Sequence, residues 1–171
     1  MRTRLIFFSL FPAALAACSS AGPDRITDPN GLSGAKIQVV AEGGIAALAI
    51  KHIVSHDDRA FVYALGHLCA NDCRPAVDSS SGTLTASATD SLFHIVLDQA
   101  RLLSKDDYGT SRGAADMLEY TVRITTGGAV RIIVFDDGTA PEPMRRILQA
   151  VVGIVDAARP PPKHPDFAYR N

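Results

Sequence analysis

Beyond its first 17 residues the chain has no apolar run long enough to cross a bilayer, which takes about 20 residues. It also lacks surplus positive charge: 17 Lys and Arg stand against 18 Asp and Glu. A phosphate backbone is held by a concentrated basic surface, so nucleic acid is not an expected partner. The serines 79–81 have no Gly-x-Ser-x-Gly context and read as a polar loop. No glycine-rich phosphate loop or dinucleotide fingerprint occurs, because the Gly-Gly pairs fall between strand-like runs and not before helices. These absences exclude the common nucleotide-dependent and serine-hydrolase patterns, and no cofactor is expected. Cysteine is scarce, with three in 171 residues.

The first of those cysteines closes a segment of recognisable design. Arg2 and Arg4 head the apolar stretch Leu5 to Ala17, and Leu15-Ala16-Ala17-Cys18 ends it with small residues before the thiol. An apolar core this short is a signal peptide and not a span. The segment resembles a bacterial lipobox. That resemblance implies cleavage before Cys18, acylation of Cys18, and attachment to the cell envelope through lipid. Removal of residues 1–17 takes two basic residues and no acidic ones, leaving 154 residues with 15 basic against 18 acidic, a net −3. Residues 18–35, rich in Ser, Gly, Pro and Asp, read as the lipidated cysteine and a flexible tether. Ser19 stands where Asp would favour inner-membrane retention, which points to the outer membrane of a double-membraned cell.

Cys69 and Cys73 are the remaining pair, in Cys69-Ala70-Asn71-Asp72-Cys73. In an exported protein two close cysteines read as a disulfide. A metal site completed by His67 and Asp72 is the alternative, although the spacing matches no common zinc pattern.

The body of the chain, 36–159, reads as one α+β domain. Ile37, Val39 and Ala41 alternate with polar residues up to Gly43-Gly44, and the alternation resumes from Ile45 to Ile50. A two-residue Gly-Gly loop would set Glu42 against Ile45, Val39 against Leu48 and Ile37 against Ile50. Ile37, Val39, Ala41, Ala46, Leu48 and Ile50 would then share one face. Leu118 to Thr125 and Ala129 to Phe135 repeat the design around Gly127-Gly128, with Val122 opposite Ile133 and Tyr120 opposite Phe135. Phe61-Val62-Tyr63 favours a strand over 59–68, against a helical alternative.

Two amphipathic helices are expected. One starts near Ser87, where Ser87-Ala88-Thr89-Asp90 resembles a capping box, and carries Leu92, Phe93, Val96, Leu97, Ala100 and Leu103. The other begins at Pro141 and Pro143, carries Met144, Ile147, Leu148, Val151, Ile154 and Val155, and ends at Arg159-Pro160. The expected order is β-β-β-α-β-β-α: a mainly antiparallel sheet built from hairpins and packed by two helices. Residues 160–171 read as an extended tail.

Candidate chemistry is sparse. His52 and His56 would share a helical face, but they fall where the pattern reads as strand and turn, as surface or edge histidines, and no Glu follows His52. Asp136-Asp137-Gly138 closes the last strand. It reads first as turn chemistry, with a hydrolase using Asp136 and Asp137 as the alternative. Asp106-Asp107 suits a solvated loop. Arg145 and Arg146 suit a charged outer helix face. No metal site and no catalytic residue is expected.

Four stretches in order carry a further likeness: Gly43-Gly44-Ile45-Ala46; Ala100-Arg101-Leu102-Leu103; Asp116-Met117-Leu118-Glu119-Tyr120-Thr121-Val122; and Asp137-Gly138-Thr139-Ala140-Pro141-Glu142-Pro143-Met144-Arg145-Arg146-Ile147-Leu148. Together they resemble the emfourin-like proteins, small inhibitors of protealysin and related thermolysin-like metallopeptidases. The resemblance spans most of 36–158. Ile45 replaces an aromatic, Ala47 replaces a glycine, and the Cys69–Cys73 region lengthens the middle. It implies a binding module that blocks an exported metallopeptidase, with Gly43, Gly44 and Ile45 as candidate contacts. An accessory envelope lipoprotein with another partner is the alternative.

Overall fold

A computed structural model describes residues 31–44, 47–67, 78–111 and 116–160. The order is β1 (Lys36–Gly43), β2 (Leu48–Ser55), β3 (Ala60–His67), β4 (Asp78–Thr83), α1 (Ala86–Arg101), β5 (Leu118–Thr126), β6 (Ala129–Asp136) and α2 (Glu142–Ala158). All six strands form one antiparallel sheet in the order β4-β3-β2-β1-β5-β6. The fold is therefore α+β, as the hydrophobic patterning indicates, with one strand more than expected.

That strand is β4, Asp78-Ser79-Ser80-Ser81-Gly82-Thr83, which corrects the reading of the serines as a loop. Its place comes from its neighbour. Gly82 lies opposite Phe61, and a Cβ there would come within 2.8 Å of the Phe61 ring. The bare glycine lets that buried ring lie beneath the sheet edge.

The β5–β6 hairpin has the expected register, with Val122 opposite Ile133 and Tyr120 opposite Phe135. The β1–β2 register differs. Ile37 faces Val54, Val39 faces His52, Ala41 faces Ile50 and Gly43 faces Leu48, four residues from the expected step. The cause is β5: β1 is an inner strand, and Leu118 pairs with Gly43 and keeps it in the ladder. A shift of four preserves the side-chain face. Leu48 and Ile50 therefore stay on the face of Ile37 and Val39, while Ala46 lies outside the described residues.

The core packs the sheet face of Ile37, Val39, Val54, Phe61, Val122, Ile124, Ile133 and Phe135 against both helices. From α1 come Leu92, Phe93, Val96 and Leu97; from α2 come Met144, Ile147, Val151 and Val155. The helix cap of α1 is Thr85 and not Ser87: the Thr85 hydroxyl accepts from Ala88 N–H at 3.2 Å. Thr89 is buried and donates its hydroxyl to Thr85 O. The proline start of α2 is as expected, with Pro141 as N-cap.

The helices cross the strands in opposite directions. α1 begins beside the β2–β3 connection, where His56 meets Asp90 and the Phe93 ring. It ends against β6, where buried Arg131 donates to Ala100 O at 2.6 Å, to Leu103 O at 3.2 Å and to Asp106 Oδ1 at 2.6 Å. A cation on the last carbonyls satisfies groups the helix cannot pair and opposes its dipole. α2 starts at the end of β6 and returns to β3, where the Arg159 guanidinium covers the Tyr63 ring at 4.2 Å.

The described residues just ahead of β1 are packed onto the domain. Ala35 is buried, its N–H donates to Leu32 O, and Gly34 N–H donates to Asp57 Oδ2 at 2.8 Å. The predicted signal 1–17, Cys18, Cys69, Cys73 and most of the 160–171 tail lie outside the described residues.

Candidate functional site

One end of the sheet gathers residues that are far apart in sequence. Gly43 and Gly44 have φ of +116° and +69°, a region L side chains avoid. Gly44 N–H donates to Met117 O at 3.2 Å, and Ala47 N–H donates to Gly44 O at 3.0 Å. A Cβ on Gly43 would sit 3.0 Å from Met117 O. The glycines are therefore needed both for the turn and for the close approach of the 116–118 segment.

Asp137 ties that segment to the β6–α2 connection. Its Oδ2 accepts from Leu118 N–H at 3.1 Å, and its carboxylate accepts a hydrogen bond from the Tyr120 hydroxyl. The Tyr120 ring stacks on Phe135 with centroids 5.2 Å apart and planes 7° from parallel. Burial, and then the Asp137 carboxylate, push the Tyr120 hydroxyl up to about 12.

Asp136 holds the other side of the same end. Its carboxylate accepts from Ser111 N–H, from the Ser111 hydroxyl at 3.2 Å, from Gly138 N–H at 2.9 Å and from Thr139 N–H at 2.8 Å. Thr139 Oγ1 accepts from Asp136 N–H and donates to Gly109 O, each at 2.9 Å. The Ser111 N–H bond, followed by those of Thr139 and the Ser111 hydroxyl, outweighs burial and holds Asp136 at about 2. Such a carboxylate is anionic at neutral pH, a weak base, and fully engaged with the chain. Asp136 and Asp137 here fasten loops, which is the turn reading of Asp-Asp-Gly.

The other candidates are dispersed. His52 is buried on the helix-covered face, a correction to its reading as a surface or edge residue. Its ring lies 5.3 Å from that of Tyr63. Burial, and then the Arg159 charge, lower its pKa, while Asp156 acts in the opposite sense. His56 sits at the opposite end from Gly43, between Asp57 at 3.4 Å and Asp90 at 3.2 Å. The two histidines do not converge, and among the described residues no group of three His, Cys, Asp or Glu is placed to hold a metal. Asp106 pairs with Arg131, and Asp107 Oδ1 accepts from Gly109 N–H at 2.7 Å. Arg145 is exposed and Arg146 pairs with Glu142 at 3.0 Å, which fits the charged-face reading.

Ile45 lies outside the described residues, as do the Cys69 and Cys73 of the expected disulfide. Sequence reasoning missed Arg131, whose position inside an alternating strand marks it as core-facing, and the link between Ser111 and Asp136, 25 residues apart. Neither a family model nor a curated protein matches the chain.

Proposed function

We propose that this chain is a membrane-anchored, non-enzymatic binding module of the cell envelope, in its most specific form an inhibitor of thermolysin-like metallopeptidases. The observation that carries the reading is the meeting of three of the four resemblance stretches at one end of the sheet. The Gly43-Gly44 turn, Met117-Leu118 and Asp137-Gly138 are cross-linked there by backbone and carboxylate hydrogen bonds. A peptidase cleft is blocked by a rigid, exposed turn that resists cleavage, and preorganisation of this kind removes the ordering cost of binding. At this end Asp137 fastens Leu118 beside the turn, and the Asp136 carboxylate is engaged with Ser111, Gly138 and Thr139.

Anchoring rests on the Leu15-Ala16-Ala17-Cys18 sequence, with acylated Cys18 holding the domain to the outer membrane. Purified residues 19–171 are expected to abolish the activity of a cognate thermolysin-like enzyme at stoichiometric concentration. Undiminished peptide hydrolysis at large molar excess would contradict inhibition. Cys18→Ala is expected to move the protein from the membrane fraction to the soluble envelope fraction, and unchanged fractionation would contradict the anchor.

A further inference from the structure

The sheet face opposite the helices is uncovered among the described residues, and its two ends differ in chemistry. Next to the entry of the chain into β1 lies a row containing Lys36, Thr125 and Val130. The following row reads Val62, Ile53, Gln38, Arg123, Ile132 across five strands. Lys51 stands in the third row, opposite Val40. The far end instead sets Glu42 directly against Glu119.

Lys36, Lys51 and Arg123 are all exposed, and none has an ion-pair partner among the described residues. On the helix side Arg131, Arg146 and Arg159 are held by carboxylates, while exposed Arg145 has no ion-pair partner among the described residues. Val62, Val130 and Ile132, each 40–52% exposed, occupy the same two rows near the chain entry. The nearby carboxylates Asp57 and Asp58 accept from Gly34 and Ala60 N–H, and Arg59 stands beside them. In a net-acidic protein, unpaired cations and exposed apolar side chains thus share the three rows of one face nearest the chain entry.

We infer that this end of the open face rests on an anionic phospholipid surface, with the Glu42–Glu119 end tilted away. Free cations beside apolar side chains match the charge and the shallow apolar boundary of such a surface. The patch adjoins Gly34 and Ala35, where the chain from Cys18 reaches the domain. Only twelve residues, 19–30, separate Cys18 from the described part of the chain, so a domain anchored there meets the bilayer at high effective concentration and weak attraction suffices. This rests on the envelope-anchor reading for the presence of the bilayer. It also leaves the Gly43-Gly44 end directed toward a soluble partner.

The chain has no tryptophan, so a single one is a clean reporter. Ile132→Trp is placed in the chain from residue 18 onward, with Cys18→Ser so that no acyl chain contributes. The expected result is a blue shift with phosphatidylglycerol vesicles, reversed by salt and absent with phosphatidylcholine vesicles. The added changes Lys36→Gln, Lys51→Gln and Arg123→Gln are expected to weaken partitioning on the order of a hundredfold. Ile95→Trp, on the outer side of α1, is expected to show no shift. No shift at Ile132→Trp, an equal shift on neutral vesicles or at Ile95→Trp, or a shift retained without the three cations would overturn the inference. Failure of lipidation itself is read separately, from the fractionation of Cys18→Ala.

Discussion

Replacing Arg131 by Met keeps most of the apolar stem and removes the guanidinium that closes the end of α1. Four acceptors lose their donor: Ala100 O, Leu103 O, Lys105 O at the longer distance of 3.4 Å, and the Asp106 carboxylate. The Asp106 side chain is 58% exposed and rehydrates, so its share is small. The Ala100 and Leu103 carbonyls are different, because these bonds are buried, the Arg131 side chain is only 6% exposed, and little water replaces it, whereas the 3.4 Å bond to Lys105 O is part-buried and adds little. A hydrogen bond from a charged donor contributes about 1.5–3 kcal/mol. Ala100 O also accepts from Leu103 N–H, which argues for the low end of that range. Two bonds at the low end predict a loss of about 3 kcal/mol. With a slope of about 2 kcal/mol/M, the urea midpoint falls by about 1.5 M. Arg131→Lys keeps the charge without the fork and is expected to lose about half as much. A midpoint unchanged in Arg131→Met, or Lys matching Arg, would show that the end of α1 does not depend on the guanidinium fork.

Gly43→Ala combines a φ that only glycine adopts readily with a Cβ 3.0 Å from Met117 O, whereas Gly127→Ala meets open space at φ +53°. Thermal unfolding should therefore show a loss of about 2–4 kcal/mol for the first and about 1 kcal/mol for the second; equal losses would count against the close approach. His52 has its pKa lowered in the fold, so its contribution is complete above its ordinary value of about 6.5 and is lost as pH falls from there through the folded value. Urea midpoints at about pH 7.5 and 5.5 should converge in His52→Gln relative to the parent; an unchanged difference would exclude His52 as the cause. Asp136, held at about 2, stabilises the fold above the ordinary carboxylate range and loses that effect as pH falls from about 4 to 2. Acid titration by circular dichroism should show a flatter limb in that window for Asp136→Asn, and an identical limb would contradict the four-donor description.

Local patterning made the β5–β6 hairpin legible in full, because strict alternation and Gly127-Gly128 specify the same register. α2 was legible for a similar reason, with its prolines and apolar stripe agreeing. β4 was not. Its Asp-Ser-Ser-Ser-Gly-Thr sequence has no apolar alternation, and its strand state follows from pairing with β3. The β1–β2 register depended on β5, which returns more than 70 residues later to pair with β1 and keep Gly43 in the ladder. His52 reads as polar, yet an even step from Ile50 and Val54 puts it on the core face. At the candidate site, Gly43, Gly44 and the Asp-Gly turn were recognisable by residue type. Their convergence with Met117 and Ser111 was not, since it arises from the sheet order and the path of the 106–111 segment along β6.

The claim that the Gly43-Gly44 end is the partner-binding surface is tested most directly by photo-crosslinking in intact cells. A photoreactive residue at exposed Ala47, beside that turn, is compared with one at Ile95 on the outer side of α1. Ala47 is expected to capture an exported metallopeptidase, identified by mass, while Ile95 is not. Capture of the peptidase from Ile95 and not from Ala47, or from neither position when the enzyme is present, would contradict that claim.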